Sequence, residues 1–390
     1  MTNQDSESIK STFRIRLPLV FFGLFLSLIL LEILFRYFEV WQVRELIRPF
    51  LGQKISDCRR NDPVLHHTLI PNCTGEVKME DYSYFFHTNS LGLRDSEISI
   101  EKPDGVFRVL VVGDSYVEGW GAEDKEVWTE IAEKNLQDAG LNVEVINAGV
   151  ASYSPALELD WLRLHGMEFN PDLVIMMVDV NDVHDEFFYG GWERYFTTKK
   201  QLFPEDKDVV DVWPKDEYTN FQKTISASKV ATTFYQVVKA RVDSKAKVLS
   251  RESLLLGTSI FSQARDWENY EKAFGLLSEN IKLTKRFVEG KGVAFALTTS
   301  SRGSYHDGTE WSPGRTRWFF EEGKVYEPKP INIIKEKAKS YGIDYIDVYG
   351  ALQESNVHPL YYSYDMHWTL AAQNIVGSFV AQFVEKKLEE

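Results

Sequence analysis

Residues 107–116 read FRVLVVGDSY, and the fold follows from this stretch. Phe107 to Val112 is an apolar run bounded by turn residues, the pattern of a strand buried on both faces. Similar runs recur at Val143 to Ile146, Leu173 to Val178, Val293 to Thr298 and Tyr345 to Val348. Helical patterns separate or follow them at Val127 to Ala139, Ala156 to Leu164, Tyr270 to Glu289, Ile331 to Tyr341 and Leu370 to Leu388. Strands and helices in alternation predict an α/β protein whose parallel central sheet is covered on both faces.

The rest of the chain is read outward from that domain, which is expected over residues 101–390. An aromatic and charged stretch at about 185–266 breaks the rhythm and is expected as an insertion, part helix and part loop, at the sheet edge. Residues 38–100 form a membrane-proximal linker and lead-in, in which YSYFFHTNSLGLRD suggests an extended pair joined by a turn at Asn89 to Gly92. Leu17 to Phe35 reads LPLVFFGLFLSLILLEILF, with Glu32 as its one charge. At 1.5 Å per residue that run spans a bilayer core of about 30 Å. With Tyr37 and Trp41 as interfacial aromatics, residues 17–37 are predicted to form a transmembrane helix after a short tail at 1–16. The residues after it, to about Phe50, read as an amphipathic continuation at the membrane surface. Basic residues bracket the run on both sides, so charge bias leaves its orientation open.

Composition narrows the function. The chain is 44% apolar and 14% aromatic, enough for a large core, and its net charge of −14 without clustered Lys or Arg excludes a nucleic-acid surface. The two cysteines, Cys58 and Cys73, fit no metal or redox motif. Either they stay as thiols or, in an oxidising compartment, they close a disulfide worth roughly 3 kcal/mol.

Four short segments carry the candidate chemistry. Gly113-Asp114-Ser115-Tyr116 lies where a strand turns into a helix at the carboxyl edge of a parallel sheet, which is where open α/β folds place their sites. A serine there can present its hydroxyl, although Asp114 or Ser115 capping a helix would look the same. Asn147 to Ser152 is a turn containing Gly149 whose amides can face a developing oxyanion. Asn181, after the most apolar strand, can donate its side-chain amide or simply cap a helix. Asp365 and His367, just before the last helix, supply a base near neutrality and a carboxylate to fix its tautomer. His165, His184 and His358 are rival bases. The aromatics Trp192, Tyr195, Trp213, Trp311 and Trp318 either pack in the core or stack on sugar rings, and Arg302, Arg315 and Arg317 offer charge for an anionic glycan.

These four segments, in this order on this strand pattern, resemble the SGNH (GDSL-like) hydrolase superfamily, and FFHTNSLGLRD before FRVLVVGDS resembles its membrane-anchored bacterial members. The resemblance implies a three-layer α/β/α, flavodoxin-like sandwich and a Ser-His-Asp triad of Ser115, His367 and Asp365. It also implies an oxyanion hole from the amides of Ser115 and of Ser152 or Gly149 with the Asn181 side chain. Three features depart from the family pattern: Ser152 stands at the usual oxyanion glycine, Asp179 replaces the glycine two before Asn181, and the spacing is D-x-H-W rather than D-x-x-H. That last spacing is shared with relatives that O-acetylate exported polysaccharides. The expected activity is therefore ester hydrolysis or O-acyl transfer on cell-envelope glycans, without cofactor or metal. The domain is expected outside the cytoplasm, single-pass anchored, with a membrane partner as a conceivable acyl donor. A catalytically silent glycan-binding scaffold and a lipid or small-ester esterase are the alternatives.

Overall fold

The computed structural model describes residues 23, 25–27, 29–30, 58–206, 267–317 and 320–389. The chain divides into two compact units, Met1–Gly52 with Trp213–Leu254, and Gln53–Val212 with Leu255–Glu390. In the first, the six described residues are helical, their larger apolar side chains are exposed, and Ser27 Oγ donates to Gly23 O at 2.8 Å. Among the described residues no helix is long and apolar enough to cross a membrane. The predicted span at 17–37 is described only at those six positions, and the amphipathic continuation lies outside the described residues.

The second unit is built on five parallel strands: β5 (Phe107–Val112), β6 (Val143–Asn147), β7 (Leu173–Val178), β8 (Ala294–Thr299) and β9 (Asp344–Ile346). They lie in the order β6-β5-β7-β8-β9, with Val109 paired to both Val145 and Leu173. Because side chains alternate, Leu110, Val112, Val174 and Met176 enter one core, while Val109, Val111, Ile175 and Met177 enter the other. Both faces are buried, which is why these strands read as continuous apolar runs. Arg108, the charge within β5, is buried because Glu144 on β6 pairs with it and the carbonyls of Ser99, Ile100 and Phe169 take its remaining donors.

The helices of this unit are α1 (Ser115–Glu118), α2 (Trp128–Asp138), α3 (Pro155–Leu164), α4 (Asp182–Phe188), α5 (Gly191–Leu202), α6 (Trp267–Glu289), α7 (Gly314–Arg317), α8 (Lys329–Ser340), α9 (Val348–Gln353) and α10 (Leu370–Glu389). Apolar faces of α3, α6 and α8 fill the first core, and those of α2, α9 and α10 the second. α2 and α10 approach closely at Gly377, where a Cβ would lie 2.7 Å from the Trp128 carbonyl. The side chain of Gln373 on α10 accepts from Trp128 N at 3.0 Å, capping an end of α2 that lacks a side-chain cap of its own.

Two expectations need correction. The strand predicted at Tyr345 to Val348 ends at Ile346, because Asp347 accepts from Gly350 N and starts α9. In the lead-in, the strand β4 (Ser83–His87) pairs with β3 (Thr74–Lys78), not with residues beyond Asn89. The Asn89 carboxamide accepts from Leu91 N and Leu93 N, bending the chain so that Arg94 reaches inward. Buried there, Arg94 donates to the carbonyls of Glu118, Gly119 and Ala122 at the end of α1. A further hairpin, β1 (Arg59–Asp62) with β2 (His66–Leu69), precedes it, and a Cys58–Cys73 disulfide ties the two hairpins together. Residues 58–100 thus pack within the same compact unit as the sheet. Of the expected insertion, α5 and most of α4 are described, and residues 207–266 lie outside the described residues.

Candidate active site

The strand order reverses direction between β5 and β7, and the chain segments leaving the carboxyl ends of β5, β6 and β7 meet above that point. β5 turns sharply into α1 at Gly113, where a Cβ would sit 2.3 Å from Val117 Cγ2. Asp114 caps α1 by accepting from Tyr116 N at 2.9 Å, which leaves Ser115 as the first helical residue. The Ser115 hydroxyl lies 2.8 Å from His367 Nε2 and 3.5 Å from Asp114 Oδ2.

His367 is held from both ends. Its Nδ1 contacts Asp365 Oδ1, and the same oxygen accepts from the His367 backbone N–H at 3.0 Å. The two-residue spacing lets one carboxylate fix both the ring and the main chain. The loop around them closes through the Tyr361–Trp368 bridge and the Tyr362 N to His367 O bond. Tyr116 and Trp120 pack on the imidazole at 4.9 and 5.3 Å between ring centroids. Tyr82, from the lead-in, donates to the other Asp365 oxygen at 3.0 Å.

The electrostatics follow from burial and neighbours. Burial works to raise the Asp365 carboxyl, but the His367 charge, its two hydrogen bonds and the Tyr82 hydroxyl together hold it below the usual range. Burial works to lower His367, yet Asp365, Asp114 and Asp179 raise it above an ordinary imidazole. Asp114 itself is pushed up to about 7 by burial and by the charge of Asp179. The Asp179 charge is met by the buried Arg302 guanidinium at 2.7 Å and by the Ser300 hydroxyl. This ion pair explains how a carboxylate is tolerated at the buried carboxyl end of β7.

The loop after β6 carries the remaining predicted residues. Ser152 is exposed with φ of 68°, a left-handed conformation that favours glycine. Ala151 beside it is clamped, its N–H donating to Glu118 Oε2 at 2.6 Å and its carbonyl bonded to His67 Nε2 at 2.8 Å. Glu118 is fully buried and also receives Arg59 and Trp120 Nε1. Gly149 is differently placed: its N–H donates to Asn147 Oδ1 at 3.0 Å, and a Cβ would lie 2.3 Å from Glu118 N. Gly149 therefore packs beneath α1 with its amide engaged. Asn181 gives one amide hydrogen to Asp185 at 3.2 Å, and its Oδ1 is buried without a partner among the described residues.

Several candidates are set aside by their surroundings. Trp311 and Tyr195 are buried in the core, and Trp192 packs on Tyr195 and Phe196. The Arg315 guanidinium is spent on the carbonyls of Asp307, Glu310 and Lys324. Trp213 and Trp318 lie outside the described residues, as do the side chains of Arg317 and His184. His358 bonds to Glu310, and His165 ends α3 against Trp161. Asp307, Glu310 and His358 lie close enough to share a cation, but the Glu310 carboxylate already accepts from Leu360 N and Tyr361 N, and Asp307 caps its own turn. Sequence reading missed Tyr82, Glu118, Arg59 and His67, whose partners are remote in the chain, and gave Arg302 a different role.

No family model and no curated protein matches the chain. Among solved structures it is similar to the lipase/acylhydrolase from Enterococcus faecalis, at 13% identity and a TM-score of 0.39, covering 72% of this chain and 96% of that one. It is similar to TesA at 14% identity and 0.37, covering 72% and 98%, and to the acetyl xylan esterase AlAXEase at 14% and 0.37, covering 71% and 100%. At that level the likeness is loose, and the chemistry rests on the side-chain geometry.

Proposed function

We propose that the chain is a serine-dependent carboxylic-ester hydrolase or O-acyltransferase of the SGNH type, with Ser115 as nucleophile, His367 as general base and Asp365 as the carboxylate behind it. The observation that carries this reading is the unbroken series from Ser115 Oγ through His367 to Asp365, with Nε2 2.8 Å from the hydroxyl. A serine hydroxyl at its free pKa is a weak nucleophile, and a neutral imidazole in contact with it removes that limitation.

In the reaction, Ser115 Oγ attacks the ester carbonyl as His367 Nε2 takes its proton. The resulting imidazolium is stabilised by Asp365, which stays ionised. The backbone amides of Ser115 and Ser152 have no acceptor among the described residues, and Asn181 keeps one amide hydrogen free of Asp185. These three donors are assigned to the oxyanion, and Gly149 is not among them. His367 then protonates the leaving alcohol, and water or a sugar hydroxyl releases the acyl group from Ser115. No step calls on a metal or an organic cofactor.

The substrate class is proposed from the Asp365-Met366-His367-Trp368 spacing and from the apolar run at Leu17 to Phe35: an acyl ester on an envelope or exported glycan, met by a domain anchored at the membrane and facing out of the cytoplasm. The Cys58–Cys73 disulfide supports an oxidising compartment. Turnover of p-nitrophenyl acetate, with and without oligosaccharide acceptors, tests the reading. Acetate release, or acetylated acceptor, is expected from the wild type and not from Ser115→Ala. A correctly folded wild type inactive in both assays sinks it.

A further inference from the structure

The lead-in hairpin β3–β4 reaches across the molecule to the triad. Its four-residue turn is closed by Met79 N donating to Tyr82 O, and it presents two neighbouring side chains to the loop that carries Asp365. Asp81 Oδ2 accepts from Tyr364 N at 2.7 Å. The Tyr82 hydroxyl donates to Asp365 Oδ2 at 3.0 Å, across 283 residues of sequence. The Tyr82 ring is fixed by packing on Tyr362 at 4.3 Å between centroids, and the Tyr362 hydroxyl is itself bonded to Gly121 O.

With Oδ1 engaged by the ring and main chain of His367, Oδ2 is the free end about which the Asp365 carboxylate can turn. Tyr82 holds that end. Building on the triad assigned above, we infer that Tyr82 is a positioning residue for the reaction, a fourth member of the series that locks the Asp365 carboxylate against His367 from outside the α/β sandwich. The lead-in is thereby part of the active site, not a spacer between membrane and enzyme.

The groups that set the charge around this pair come from every side. Asp114 and Asp179, after β5 and β7, face His367, and Arg302 after β8 in turn faces Asp179 and Asp114. Asp81, Tyr84 and Tyr362 face Asp365. Tyr82→Phe changes none of these and keeps the ring that packs on Tyr362. It removes one donor from Asp365, so more of the carboxylate charge falls on the His367 imidazolium, which then holds its proton to higher pH.

The test is Tyr82→Phe in the full chain, alongside wild type and Ser115→Ala, with thermal midpoints recorded for all three. Expected are an unchanged midpoint to within about 2 °C, a kcat on p-nitrophenyl acetate lowered about tenfold at unchanged KM, and an acid limb of kcat/KM moved up by about half a pH unit. The rate of Ser115 labelling by a fluorophosphonate falls in parallel. An active wild type and a silent Ser115→Ala, with Tyr82→Phe matching the wild type in kcat, labelling rate and acid limb, overturns this inference and leaves the triad standing. A loss equal at all pH and matched by a lower midpoint also overturns it, because Tyr82 is then structural. If Ser115→Ala is as active as the wild type, the triad fails and the inference with it.

Discussion

Replacing Glu118 by glutamine tests how the Ser152 loop is held. The wild-type carboxylate is fully buried and receives three donors: Arg59, the Ala151 amide at 2.6 Å and Trp120 Nε1 at 2.9 Å. Glutamine keeps the shape, loses the charge and brings an NH2 group to face donors. Removing one partner of a buried ion pair costs about 3–5 kcal/mol. The Arg59 side chain is 23% exposed and recovers some water, and the amide oxygen still accepts one donor, so the lower end, about 3 kcal/mol, applies. For a compact unit as large as Gln53–Val212 with Leu255–Glu390 that is a fall of about 5 °C in Tm at pH 7, read by circular dichroism. With the Ala151 anchor weakened the Ser152 amide drifts, and kcat on p-nitrophenyl acetate falls by about 10–100-fold. The pH dependence has a definite sign. Burial works to raise the Glu118 carboxyl, but Arg59 and the Ala151 amide outweigh it, so its folded value lies below the ordinary 4.5. Its contribution is therefore present above about 4.5 and fades as pH falls through the folded value, where wild type and variant converge. A variant with Tm within 2 °C of wild type and unchanged kcat refutes the clamp.

Three further outcomes follow from the same site. Asp114 and Glu186 are pushed up to about 7 and about 8, chiefly by burial, and His367 lies above its ordinary value, so the folded state keeps protons that the unfolded chain releases. Stability therefore falls as pH rises from 6.5 to 8.5, seen as a lower urea midpoint, and Glu186→Gln flattens the slope. Ser152→Gly relieves a left-handed residue worth about 1 kcal/mol while adding a similar amount of unfolded-state freedom, so Tm stays within about 2 °C and kcat is kept, whereas Ser152→Val lowers Tm. Asn181→Ala removes the side-chain donor and lowers kcat by about 100-fold with little change in KM, measured by steady-state kinetics.

The parts of the molecule legible in the sequence are those where one pattern has one cause. Strands β5 and β7 match the predicted bounds because burial on both faces forces a continuous apolar run, and α2, α3 and α10 fall within a residue or two of the periodic segments. β1 and β2 read RRND and HHTL, half exposed and without alternation, so nothing local marks them as strands. Strand-end position and a D-x-H spacing alone left Ser115 one turn serine among several and His367 one histidine among rivals; the resemblance of the four ordered segments singled them out with Asp365, and the structure brings the three side chains into contact. Tyr82 was not, since a tyrosine in a hairpin turn gives no sign of a partner 283 residues away. Gly149 shows the limit from the other side. A glycine in a strand-end turn reads alike whether its amide is free or, as here, already given to Asn147 while its Cα packs on α1.

The central claim is that Ser115 is a nucleophile activated by His367, and covalent labelling measures this without any assumption about substrate. The full-length protein is treated with a fluorophosphonate, and the modified residue is located by mass spectrometry in wild type, Ser115→Ala and His367→Ala. The account predicts a single adduct on Ser115, absent from Ser115→Ala and formed at least 100-fold more slowly in His367→Ala. An adduct elsewhere, equal labelling of Ser115→Ala, or labelling of Ser115 at the wild-type rate without His367 contradicts it.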